Sequence, residues 1–125
     1  MIRQALVAGR FYPGRRETLL HDLEKYCTPR AANLRAMACL VPHAGYMYSG
    51  GVAGAVYAAL DLPRRFVILA PDHYGRGASL GLHPAAEWET PLGRARVDTA
   101  LGARIRQACA EVEDDEQGQI GRAHV

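Results

Sequence analysis

Two short apolar runs in this 125-residue chain each close on a proline followed within two residues by a histidine. The first is Ala38-Cys39-Leu40-Val41-Pro42-His43 and the second is Phe66-Val67-Ile68-Leu69-Ala70-Pro71-Asp72-His73. Neither run alternates apolar with polar residues, which is the pattern of a strand buried on both faces. Between them Gly51 to Leu60 carries Val52, Val56, Tyr57 and Leu60 near helical spacing. Strand, helix, strand predicts a right-handed crossover with parallel strands, and so an α/β fold. Both histidines would then leave the sheet at its carboxyl edge, where open α/β sheets place ligands.

Composition narrows the alternatives. One domain at most fits the length. Hydrophobic residues make up 49% and charged residues 22% of the chain, the balance of a soluble globular protein. A net charge of +2, with arginines scattered, gives no basic stripe for nucleic acid or an anionic membrane. No apolar stretch reaches the length of a membrane span. The start lacks the apolar core of a signal peptide, so the expected location is cytoplasmic. Cys27, Cys39 and Cys109 form no close pair, and reduced thiols are expected, with Cys39 a small buried hydrophobe inside the first strand.

Other elements can be placed around that core. Leu19, Leu20, Leu23 and Tyr26 share a face of a predicted helix from about Arg16 to Tyr26, stopped by Thr28-Pro29. Ser79 to Leu82 suggests a short third strand. Glu87 to Gly93 suggests a loop or hairpin, with 94–97 as its returning strand. Asp98 is placed to cap a helix with Leu101, Ile105 and Cys109 facing inward. The acidic run 111–116 reads as solvated.

Histidines on neighbouring strand ends can share one metal ion, whose bonds to nitrogen are about 2.1 Å. His43 and His73 are therefore candidate ligands, but two donors do not complete a site. His83 is an uncommitted third. Asp72 adjoins His73, although neighbouring side chains on an extended segment point opposite ways. Gly45 would let backbone approach a ligand closely, and Tyr46, Tyr48 and Tyr74 would line a pocket. The alternative for both histidines is a hydrogen bond to loop backbone. Ser49-Gly50-Gly51-Val52-Ala53-Gly54 is a poor dinucleotide fingerprint, because its first glycine is serine and its turn is long. An anion at that helix start stays open. No adjacent Cys–His pair supports a nucleophile.

Several blocks carry a resemblance: Ala8-Gly9-Arg10-Phe11-Tyr12-Pro13, Pro42-His43-Ala44-Gly45-Tyr46-Met47-Tyr48-Ser49-Gly50, Ile68-Leu69-Ala70-Pro71-Asp72-His73 and Thr90-Pro91-Leu92-Gly93 with Val97-Asp98. In order and spacing the chain resembles the Memo family, protein B of the AmmeMemoRadiSam system. The resemblance implies a sheet like that of class III extradiol dioxygenases, with the parallel β-α-β core as its truncated amino-terminal part. It implies iron or copper at His43 and His73, with Asp72 at the pocket rim beside the Gly45 and Tyr46 already read as pocket residues, and metal-dependent redox or oxygen chemistry. Its alternative is a non-catalytic module for a peptide or phosphorylated ligand, in complex with AMMECR1-like and radical SAM proteins. Further donors are expected beyond this chain, leaving the metal site incomplete and the chain alone inactive. Asp72 stands where relatives often have serine.

The expected domain layout is a Memo-like portion over 1–118 and a non-native tail over 119–125. Ile120-Gly121-Arg122-Ala123-His124-Val125 can be written ATC GGA AGA GCA CAC GTC, which matches a common sequencing adapter. A genuine stop codon after Val125 in source DNA would refute that reading.

Overall fold

The computed structural model describes residues 1–29, 33–75 and 77–116. The expected tail therefore lies outside the described residues. Two compact units divide the chain, one running from 7 to 64 and the other joining 1–6 to 65–116 among the described residues. Both helices and parallel strand pairs occur, so the protein is mixed α/β. No helix among the described residues is long and apolar enough to cross a membrane.

In the first unit, α1 spans Arg16–Tyr26, as its leucine spacing predicts. Leu19 is buried. Glu17 in the first turn and Lys25 in the last complement the helix dipole. Cys27 N–H donates to Leu23 O at 2.8 Å and ends the helix. The second helix, α2, spans Tyr46–Ala58, starting five residues earlier than the expected Gly51. Three bonds anchor that start. Tyr46 N–H donates to Phe11 O at 2.8 Å, Ser49 N–H donates to Gly45 O at 3.1 Å, and the buried Ser49 hydroxyl donates to Ala44 O at 2.8 Å. After α2 the chain runs parallel to Leu34, bridging it at Leu60.

Glycine lets α1 and α2 pack closely. A Cβ at Gly50 would lie 2.8 Å from the Tyr26 ring, and one at Gly54 would collide with the Tyr26 carbonyl. These residues, four apart, form the face of α2 that receives α1. Tyr46 stacks edge-on against Tyr26 at 6.3 Å and lies 5.7 Å from Tyr12, centroid to centroid.

The second unit holds two small sheets. Strand β1 (Ile2–Arg3) pairs in parallel with β3 (Glu87–Thr90), which pairs antiparallel with β4 (Gly93–Arg96). Strand β2 (Gly81–Leu82) pairs in parallel with β5 (Glu113–Asp114). The expected hairpin is present: Thr90 Oγ1 donates to Gly93 O at 2.8 Å and accepts from Leu92 N–H at 3.2 Å. Gly93 at φ +131° takes a backbone shape that side chains disfavour.

Helix α3 (Thr99–Ala108) starts where expected, with Asp98 Oδ1 accepting from Leu101 N–H at 2.9 Å. Its expected core positions Leu101, Ile105 and Cys109 are half-buried. Asp98→Ala should lower stability by about 1 kcal/mol, the usual value of such a cap, read as a lower urea midpoint with unchanged slope. The Arg65–Asp98 pair at 3.1 Å, with its guanidinium exposed and its carboxylate half-buried, adds little to that loss.

Three expectations are corrected here. The runs 38–42 and 66–70 adopt no regular secondary structure and lie mostly exposed, with Leu40 at 93% and Leu69 at 90%. The parallel β-α-β core is accordingly not formed among the described residues, and Cys39 is exposed rather than buried. The physical reason is cover: a strand buried on both faces needs neighbouring strands and layers above and below. The sheets that do form are built from other residues. The third correction concerns the acidic run, where Asp115 is buried.

Candidate functional site

His43 stands three residues before α2, on a segment held by the bonds that start that helix. Its neighbour Ala44 accepts the Ser49 hydroxyl, and Gly45 is the residue capping α2. The close approach expected of Gly45 is made by the chain itself: a Cβ there would lie 3.3 Å from Phe11 O. Tyr46 is likewise engaged, half-buried in the cluster with Tyr12 and Tyr26. Burial, followed by the neighbouring Tyr12, Cys27, Tyr57 and Asp22, pushes its phenol up to about 12. It stays protonated at any physiological pH and packs the helix start. Tyr48, by contrast, is exposed on α2.

His73 sits in the other unit, in an exposed turn. Asp72 shapes that turn. Its Oδ1 accepts from Tyr74 N–H at 2.9 Å and its Oδ2 from Gly77 N–H at 3.2 Å. Both carboxylate oxygens thus bond backbone N–H groups further along, and Asp72 braces the turn that carries His73. Serine at this position would offer one oxygen instead of two.

His83 lies between β2 and β3, and its Nδ1 accepts from Ala85 N–H at 3.1 Å. Burial and the Arg3 cation hold its pKa below the usual imidazole value, against Glu116 and Asp115, which favour the proton. Among the described residues no group of three or more His, Cys, Asp or Glu side chains is arranged to hold a metal ion. The donor set of a complete metal centre is therefore not shown by these residues.

Two features of the second unit were not legible as site or core residues. Asp115 accepts from Ala78 N–H at 3.1 Å, and a Cβ on Gly81 would lie 2.7 Å from its Oδ2. Within an acidic run nothing marks one carboxylate as buried. Trp88 carries the Arg3 guanidinium 4.4 Å from its ring centroid, a cation–π contact. Its buried Nε1 has no hydrogen-bond partner among the described residues.

The molecule is thus a mixed α/β protein whose Pro-His segments end on a helix start and on a carboxylate-braced turn. A family profile for Memo-like proteins matches residues 3–120, and the chain belongs to the Memo family. It is 43% identical over 120 residues to a MEMO1 family protein of Pyrococcus furiosus, covering 91% of this chain and 40% of that protein. A MEMO1 family protein of Pyrobaculum aerophilum is 43% identical over 126 residues, covering 91% and 45%. One from Aquifex aeolicus is 38% identical over 106 residues, covering 83% and 39%. The chain spans less than half the length of the curated relatives it matches.

Proposed function

We propose that the protein binds a transition metal, iron or copper, through His43 and His73, with the remaining donors supplied from outside the described residues. The supporting observation is the repeated Pro-His segment in a chain of this family, each copy held by its own backbone anchors. His43 is set by the Ala44 and Gly45 bonds into α2, and His73 by the Asp72 brace. Imidazole suits both metals, and open coordination positions would admit a substrate to redox or oxygen chemistry of the dioxygenase type. On this reading a kinship with dioxygenases would rest on fold, and fold alone does not set the reaction.

Metal analysis of the full-length protein beside His43→Ala and His73→Ala decides the point. Each variant should lose metal by a factor of about ten or more, the scale on which even supporting groups act on metal affinity. Metal retained at parent stoichiometry in both variants would remove the site. Metal bound without oxygen or substrate turnover would assign the pocket to ligand binding, as in a complex with AMMECR1-like and radical SAM proteins.

A further inference from the structure

We propose that His83 is a pH-sensitive latch in the linker joining the two sheets of the second unit, closed with a neutral imidazole and released on protonation. The linker is residues 83–86, from the end of β2 to the start of β3. Both of its ends are tied down. On the β2 side, Leu82 O accepts from Asp115 N–H at 3.0 Å. On the β3 side, Ala86 N–H donates to Met1 O at 3.2 Å, and Ala86 O accepts from Val97 N–H at 2.9 Å. Between them sits Ala85, 1% exposed, whose N–H donates to His83 Nδ1 at 3.1 Å.

That bond requires a lone pair on Nδ1, so the latched ring is neutral with its proton on Nε2. Protonation turns both ring nitrogens into donors. Turning the ring over presents Nε2–H, also a donor, so no rotamer restores an acceptor. A buried N–H left facing a donor loses its hydrogen bond where water cannot replace it. Three charged groups act on the ring: Arg3 from β1 opposes the proton, while Asp115 and Glu116 beyond β5 favour it. Burial and Arg3 prevail, holding the folded-state pKa below 6.5. With the folded value depressed, the unfolded chain binds more protons below 6.5, and stability falls as the pH drops through that window. Release is therefore on the acid side of neutrality.

Hydrogen exchange with mass detection on the whole chain tests this, compared at about pH 7.5 and about pH 5 after correction for intrinsic exchange. In the wild-type 83–86 segment, where Pro84 has no N–H and Ala86 N–H is held by Met1 O, the Ala85 amide should lose protection several-fold at the acid pH while α1 keeps its own. His83→Asn keeps a side-chain acceptor for an amide two residues on but does not titrate. Its linker should stay protected at both values. His83→Leu should be unprotected at both. Equal wild-type protection at the two pH values would overturn the latch, as would an acid loss in His83→Asn matching wild type. Parallel loss of protection in α1 would show general acid unfolding and overturn it equally.

Discussion

The isolated 125-residue chain should self-associate, and charges placed on the two apolar runs should suppress that association. Met37, Leu40, Phe66, Val67, Ile68 and Leu69 are all exposed, several almost completely. Single exposed apolar residues are ordinary, but contiguous ones mark surfaces that bind something. Here the backbone adds to the hazard. Neither run belongs to a ladder among the described residues, so their N–H and C=O groups can pair with another chain. Light scattering should report species larger than a monomer as concentration rises, with strong binding of an apolar dye. Leu40→Lys with Leu69→Lys should restore a monomer, because lysine opposes strand pairing as well as burial. Both side chains are almost fully exposed, so the substitutions should spare the packing of the described elements. A dye-negative monomer at every concentration would show that the two runs find cover within the chain.

How much was readable in the residues follows from the range of the interactions. The span of α1 was legible because its leucine spacing and the Thr28-Pro29 stop are local. So were the Asp98 cap and the Thr90–Gly93 turn, each decided within a few residues. Contacts between distant segments were not. Ile2 pairs with Glu87 across the whole unit, and a two-residue strand has no period to detect. Asp115 and the Ala78 N–H it accepts are 37 residues apart. The two apolar runs show the opposite error. Their composition states what cover they need, but strand propensity is realised only where a neighbour supplies it. At the candidate site the motif singled out His43, His73 and Asp72 as residues, but not the turn that Asp72 braces. The burial of Tyr46 and the contact of Gly45 with Phe11 were not legible either, because both depend on how 7–14 folds against the helix start.

Three glycines in α2 should respond differently to the same added methyl group. Alanine in place of a mid-helix glycine is worth about 1 kcal/mol of helix propensity. Gly51 is exposed, and nothing lies within 4 Å of the place a Cβ would take, so Gly51→Ala should raise stability by about that amount. At Gly54 the same gain meets the Tyr26 backbone, which cannot turn aside as a side chain can. Overpacking costs about 1–3 kcal/mol, so Gly54→Ala should lower stability on balance, by up to about 2 kcal/mol. Gly50 falls between, since it faces the Tyr26 ring, which can swing at the expense of its edge contact with Tyr46. The denaturant midpoint of the helical signal reads all three, measured on a variant kept monomeric by the two lysines. Gly51→Ala above the parent and Gly54→Ala below it would establish that α2 packs on α1 through its glycine face. A gain at Gly54 equal to that at Gly51 would mean the Tyr26 carbonyl does not lie against the helix. The early start of α2, which sets the backbone of His43, depends on the same packing through Tyr46, so Gly54→Ala should also weaken the hold on that histidine.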